Sequence, residues 1–168
     1  MCSSGAAAAS IAACISPPLL PQRCCAKGSC CMPHDPTRVA EAREWMVAAA
    51  QDLRAAEHGM SAEPPLAADV AFHCQQAVEK AAKALLAWHD HPFRKTHDLV
   101  ELGNACVGID GLLESVLRPA APLTEYAWRF RYPGEPQEPG LEEVRRALAL
   151  AHEAYQAILA RMPPEARQ

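Results

Sequence analysis

Four polar side chains recur along one predicted helix at a spacing that could form an anion-binding surface. The stretch 72–102 reads FHCQQAVEKAAKALLAWHDHPFRKTHDLVEL, and intervals of three and four residues place side chains on one helix face. On that face lie His73, Gln76, Lys80 and Lys83. Their ammonium, imidazole and amide groups could bind a phosphate through charge-assisted hydrogen bonds. From spacing alone, an ordinary solvated helix face is the simpler interpretation.

More polar residues that could bind an anion lie further along the chain. His97 follows the turn HPFRK, and it could be a titratable phosphate ligand or a buried hydrogen-bonding residue. Spacing does not decide between these two roles. Arg131 and Tyr132 precede a proline-rich acidic loop. Arg131 could complete an anion clamp beside the polar stripe formed by His73, Gln76, Lys80 and Lys83. It could instead anchor the loop through an ion pair while Tyr132 packs.

The elements that must position these side chains are helices. Asp35 is a predicted N-cap, and Pro36 occupies the first helical position, which proline tolerates. Apolar periodicity then predicts a first helix ending near residues 57–59, a second over 66–89 and a last one after Gly140. On the second helix, Glu79 and Lys83 form a favourable i,i+4 ion pair.

The connection between these helices is less regular. Thr96 is a predicted N-cap for a third helix, with Asp98 in its first turn. Glycines at 108 and 111 are predicted to interrupt that helix, and residues 112–117 to resume it. Two prolines, at 119 and 122, are predicted to open a further helix through residue 130. The stretch RYPGEPQEPG is a predicted loop. The pattern therefore predicts an all-α fold, an up-and-down helical bundle of four main helices plus a broken connecting helix.

Composition and charge limit the function classes. Aromatic residues make up only 5% of the chain, which favours helices packed through small and aliphatic side chains. The net charge is −4, with a net of +2 in residues 1–34 and −6 in the remainder. An acidic domain lacks the broad basic surface of a nucleic-acid-binding protein, so any contact with RNA requires a local cluster. No apolar run is long enough to span a membrane.

Six of the eight cysteines lie within the first 31 residues. Adjacent cysteine pairs do not match the spacing of a zinc ribbon. A disulfide framework would need an export signal, and an organellar transit peptide would contain more arginine. The sequence favours a disordered Cys- and Ala-rich leader over 1–34, with translation starting at Met32, and one domain over 35–168. The remaining cysteines, Cys74 and Cys106, are predicted to be buried apolar residues. His89 and His91 form no convincing metal set with Cys74, so we expect neither a metal nor a cofactor.

The motif FHxQQAxEKxxKALL followed by KTHDLxEL resembles the HEPN domain (higher eukaryotes and prokaryotes nucleotide-binding). The likeness is to the branch encoded beside minimal nucleotidyltransferases, whose tyrosine and RYP element are similar to Tyr126 and Arg131-Tyr132-Pro133 here. The resemblance spans about residues 36–162. It implies a cytoplasmic, nucleotide-binding or partner-binding homodimer with His73, Gln76, Lys80, Lys83, His97 and Arg131 at its site.

The same resemblance implies a nucleotidyltransferase partner in a toxin–antitoxin or stress-response system, with Tyr126 or Tyr132 as the modified residue. An alternative is a metal-independent endoribonuclease, because many HEPN proteins use an Arg-x4–6-His signature. Arg146 and His152 match that spacing, as do Arg145 and His152, but they lie inside a predicted helix, where such pairs arise by chance. A third possibility is a dimeric scaffold without catalysis. We expect no strong ribonuclease activity.

Overall fold

The computed structural model describes residues 35–130 and 138–167, and in this part of the chain all regular secondary structure is helical. The α-helices are α1 (Pro36–Ser61), α2 (Ala67–Trp88), α3 (Leu99–Ile109), α4 (Glu114–Ala120) and α5 (Leu141–Leu159). Short 3-10 segments lie at Gly111–Leu113, Ala121–Ala127 and Pro164–Ala166. The predicted all-α bundle is confirmed, with α4 and its flanking 3-10 segments forming the broken connection.

Helix α2 is the centre of the bundle, because it packs against α1, α3 and α5. The predicted N-cap is confirmed, because the Asp35 side chain accepts a hydrogen bond from the Thr37 amide and Pro36 begins the helix. Alanines on the facing sides of α1 and α2 let the two helices approach closely, since methyl side chains keep the backbones near each other. The alanines with 0% exposure on the two helices are Ala42, Ala49, Ala56, Ala71, Ala77, Ala81 and Ala84.

The turn from α1 into α2 depends on a close backbone approach at Gly59. A Cβ atom there would lie 2.9 Å from Cγ2 of Val70, and Val70 is fully buried. At the other end of α2, the His91 amide donates to the Leu86 carbonyl and the Asp90 amide donates to the Ala87 carbonyl. This is the Schellman pattern of helix termination, and Asp90 adopts the left-handed conformation that it requires, with φ 54°.

The start of α3 differs from the prediction. The N-cap is Asp98, whose carboxylate accepts from the amides of Val100 and Glu101. Thr96 is not the cap; its hydroxyl accepts from the Asp98 amide and shapes the preceding turn. Both residues are good caps, and the carboxylate is better placed to interact with the helix dipole. The prediction was therefore wrong by two residues.

The predicted interruption of α3 is confirmed at Asp110, but the following segments differ. Pro119 lies inside α4, and residues 121–127 form a 3-10 helix that ends before residue 130, so the predicted further helix through 130 was wrong. The last helix begins at Leu141, as predicted. Just beyond its end, Arg161 donates to the Ala157 carbonyl in the last turn and, through Nε, to the Asp110 carboxylate at 2.5 Å.

The core runs continuously through all five helices and includes both cysteines of the described region, Cys74 and Cys106, with 0% exposure each. Burial raises the pKa of each thiol to about 12, as expected for cysteines that act as small apolar residues. None of the described helices has an apolar stretch sufficient to cross a lipid bilayer.

Candidate functional site

A carboxylate on α1 organises the first half of the polar stripe on α2. Asp52 is 8% exposed; one of its oxygens lies 2.9 Å from Nδ1 of His73 and the other accepts from Nζ of Lys80 at 2.5 Å. The two α2 residues are seven positions apart, about two helical turns, so both oxygens are used from one face. The side chains of His73 and Lys80 remain 33% and 25% exposed. We call this set the Asp52 cluster.

A second carboxylate, Glu79 on α2 itself, organises the other half. Its oxygens accept from Nζ of Lys83 at 2.7 Å and from Nε2 of Gln75 at 2.8 Å, and one lies 3.0 Å from Nδ1 of His97. Gln76 joins by donating to the Gln75 side-chain oxygen at 2.7 Å. We call this set the Glu79 cluster. It connects α2 to the turn before α3, because Gln75 also donates to the His97 carbonyl.

Burial differs sharply within the Glu79 cluster. The Glu79 and Lys83 side chains are 4% and 8% exposed, whereas the His97 side chain is 62% exposed. Burial disfavours ionisation of Glu79, but hydrogen bonds from Lys83, Gln75 and His97 outweigh it and lower its pKa below the ordinary value. Every buried side-chain nitrogen and oxygen in the described residues has a hydrogen-bond partner. The cluster is therefore a satisfied polar network, which is the form in which a buried charge pair is tolerated.

The two clusters share an arrangement that could serve chemistry. In each, a buried carboxylate holds Nδ1 of a histidine whose ring is partly exposed. Because the carboxylate accepts from Nδ1–H, Nε2 is the nitrogen left to meet a ligand. Each lysine charge is offset by one carboxylate. The stripe consequently offers oriented polar groups whose lysine charges are already offset.

Tyr126 belongs to neither cluster; it lies in the 3-10 segment Ala121–Ala127, and its side chain reaches α5. Its hydroxyl donates to Oε1 of Glu143 at 2.5 Å, and the residue is 5% exposed. Its ring stacks on Phe130 with centroids 5.9 Å apart. Burial, together with the Glu143 carboxylate, raises the pKa of the Tyr126 hydroxyl. A modifying enzyme could reach this hydroxyl only if the hydrogen bond to Glu143 broke.

The motif region that carries these clusters matches a known family model. The model for the HEPN domain matches residues 42–161, which is most of the chain. This chain belongs to the HEPN domain family. No curated protein and no solved structure gives a significant match, so the match establishes the family and leaves the nucleotidyltransferase-associated branch as a proposal.

The HEPN ribonuclease signature does not converge on one face in this protomer. Arg146 and His152 both lie on α5; six residues at about 100° each place them roughly 120° apart around the helix. Arg145 is better aligned with His152, but seven residues separate them by about 10 Å along the axis. His152 instead lies 3.0 Å from the Glu57 carboxylate on α1. This contact ties α5 to α1.

Two predicted site residues, Arg131 and Tyr132, lie outside the described residues, as do the six cysteines of the leader. In residues 35–130 and 138–167, no group of three or more His, Cys, Asp or Glu side chains is arranged to hold a metal ion. The stripe residues that the structure does describe are divided between the two clusters. His73 and Lys80 meet at Asp52, and Lys83 and His97 meet at Glu79.

Sequence reasoning missed the residues on which the stripe depends. Gln75 occurs in a row with Ala71, Val78 and Ala82, and all four are buried. A single amide in an otherwise apolar row signals a buried hydrogen-bond partner. Asp52 similarly precedes Leu53 at the margin of the α1 apolar face. Glu79 was identified only as an i,i+4 partner of Lys83, because its contact with His97 is long-range.

Proposed function

We propose that this HEPN domain binds a nucleotide, or a nucleotidylated partner, on the face of α2 that carries the Asp52 and Glu79 clusters. The observation that carries the proposal is the pair of partly exposed histidines, His73 and His97, each held through Nδ1 by a buried carboxylate. Fixed imidazoles lose little conformational freedom on binding a phosphate oxygen. Lys80, 25% exposed beside His73, adds an ammonium donor.

The charge balance of the site predicts weak binding. The carboxylates offset both lysines, so a phosphate meets little net positive charge there. The affinity should be modest, because the domain over 35–168 carries a net charge of −6 and repels anions at longer range.

The biological setting follows from the resemblance and extends the proposal. We propose a minimal nucleotidyltransferase as partner, in a toxin–antitoxin or stress-response system, and a homodimeric HEPN assembly. Tyr126 and Tyr132 remain the candidate acceptors of a nucleotidyl group. The burial of Tyr126 against Glu143 means that modification there requires an opened form of the 3-10 segment. A nucleotidyltransferase gene beside this one would support the pairing.

The test is calorimetric titration of AMP and ribose 5-phosphate into the full chain. Lys80→Ala with His97→Ala removes two donors and keeps the buried Glu79–Lys83 pair intact. We expect at least about a tenfold loss of affinity, since charge-assisted hydrogen bonds contribute about 1.5–3 kcal/mol each. Arg118→Ala is the matched control, because that cation is 78% exposed on α4 and lies outside both clusters.

Two outcomes would contradict the proposal. Unchanged affinity in the double variant would mean that the stripe is only a structural network. A loss of affinity in Arg118→Ala equal to that in the double variant would mean that binding follows overall charge. Circular dichroism at matched concentration checks that all variants keep the helical content of the wild type.

A further inference from the structure

A groove between the start of α1 and the turn after α2 lies against the Glu79 cluster. It has a volume of about 940 Å³, and its lining includes Trp45, Lys83, Phe93 and Lys95. Lys83 belongs to both features: its Nζ donates to Glu79 and lies 5.3 Å from the centroid of the Trp45 ring. We call this feature the Trp45 groove.

Two aromatic rings form one side of the groove. The centroids of Trp45 and Phe93 are 6.2 Å apart, with an interplanar angle of 74°. Both residues are only partly buried, so part of each ring surface remains accessible. Aromatic rings beside a cation are the usual platform for stacking a nucleobase, because the base presents a flat π surface of its own.

The charges around the groove limit what it could hold. Three cationic residues line it, Arg38, Lys83 and Lys95, and three carboxylates line it as well: Asp35, Glu41 and Asp90. Arg38 is already paired with Asp90 at 2.9 Å. A lining with balanced charge disfavours a polyphosphate and tolerates a neutral planar group. The base of a nucleotide has this chemistry, and its phosphate would lie outside the groove.

We propose that the Trp45 groove is the base subsite of the nucleotide site, and that its ligand is a nucleoside monophosphate unit. The base packs against Trp45 and Phe93, and the phosphate extends along α2 toward Lys80 and His97. This assignment rests on the proposed function for its phosphate half only. The base half stands on the aromatic lining and on the charge balance of the groove.

The experiment compares three probes on the full chain by calorimetry: AMP, ribose 5-phosphate and adenosine. Phe93→Leu keeps apolar bulk in the turn and removes the ring. We expect it to weaken AMP and adenosine by at least about fivefold, the lower limit for one stacked base, and to leave ribose 5-phosphate unchanged. Phe93→Tyr restores a ring and should restore both affinities. Trp128→Leu is the control, because that ring is 57% exposed and lies away from the groove.

The probes separate the two proposals. If AMP and ribose 5-phosphate bind with equal affinity and Phe93→Leu has no effect, the base subsite is overturned and the phosphate site remains supported. If adenosine binds in a way that depends on Phe93 and ribose 5-phosphate does not bind, the base subsite is supported and the phosphate site is overturned. Equal losses for all three probes in Phe93→Leu would show a structural role for the ring and would also overturn the subsite.

Discussion

Glu79 is the residue on which the stability of the site most depends. It accepts from groups on α2 and lies within hydrogen-bonding distance of His97 in the turn before α3, and its side chain is 4% exposed. A buried ion pair of this kind adds little net stability compared with an apolar pair, because both charges lose their hydration. Removing one partner is different, since the other charge is then left buried and unpaired.

Glu79→Gln should therefore destabilise the domain by about 3 kcal/mol, the lower end of the range for breaking a buried pair. The glutamine keeps one oxygen that Lys83 can donate to, but its charge no longer offsets the ammonium. Glu101→Gln is the matched control, because its partner Arg94 is 82% exposed and solvent screens the attraction between such charges. Urea unfolding measures both; equal small losses would contradict the prediction.

The same pair gives the sign of a pH effect. The pKa of Glu79 is lowered from its ordinary value of 4.5, so its contribution is present above that value and is lost as the pH falls through the folded-state pKa. The stability difference between wild type and Glu79→Gln should accordingly shrink in acid. Unfolding curves at pH 7 and pH 3.5 check this, and a difference that stays constant would assign the effect to packing.

The sequence predicts the partner of a side chain when both residues lie on one helix. It does not predict a partner that lies on another helix. The Glu79–Lys83 pair follows from helical periodicity and is confirmed. The partner of Lys80 is Asp52, 28 residues away on another helix, and nothing in local spacing specifies it. Helix packing sets such a contact, so the division of the stripe into two clusters could not be read from α2 alone.

Helix ends show how local chemistry and packing share control of the elements. Asp35 was predicted correctly as the N-cap of α1, because it is the one residue of a capping type directly before the first helical residue. At α3 two candidates compete, Thr96 and Asp98, and tertiary contacts decide between them. The Leu99 amide donates to the Thr124 hydroxyl, and the His97 carbonyl accepts from Gln75. Both bonds use backbone groups that a helix beginning at Thr96 would need for its first turn.

Two glycines inside helices provide a test of packing at the element scale. Gly59→Ala gains the helix propensity of alanine, about 1 kcal/mol, but its methyl group would lie 2.9 Å from the stiff, buried Val70 side chain. We expect a net destabilisation of about 1–2 kcal/mol. Gly108→Ala in α3 meets nothing within 4 Å and should stabilise by about 0.5–1 kcal/mol.

Thermal unfolding of the two glycine variants distinguishes packing from propensity. Opposite shifts in Tm are expected, downward for Gly59→Ala and upward for Gly108→Ala. If both variants gained stability, the α1–α2 approach at Gly59 would be looser than the contact with Val70 indicates. If both lost stability, residue 108 would have a role that its open surroundings do not show.

At the scale of the whole molecule, the Ala-rich faces are buried inside the chain, because they pack between α1 and α2. The all-α bundle that the sequence predicts is confirmed. Among the described residues, the large apolar side chains left exposed are Val47, Leu66, Val100, Leu112, Trp128 and Leu141. Sequence alone could not place a dimer interface, and these side chains are its candidates.

We expect a homodimer whose association strengthens with salt. The domain over 35–168 carries a net charge of −6, so two copies repel each other, and added salt screens that repulsion while it leaves apolar contact intact. Light scattering at tens of micromolar protein should give twice the chain mass of 18.1 kDa. Two variants test where the interface lies, Trp128→Ser and Leu112→Ser, each of which removes one exposed apolar side chain (57% and 77% exposed). Loss of the dimer in one variant would locate the interface. A monomer mass for the wild type at every salt concentration would contradict the prediction, and a dimer that salt dissociates would point to an interface held by ion pairs.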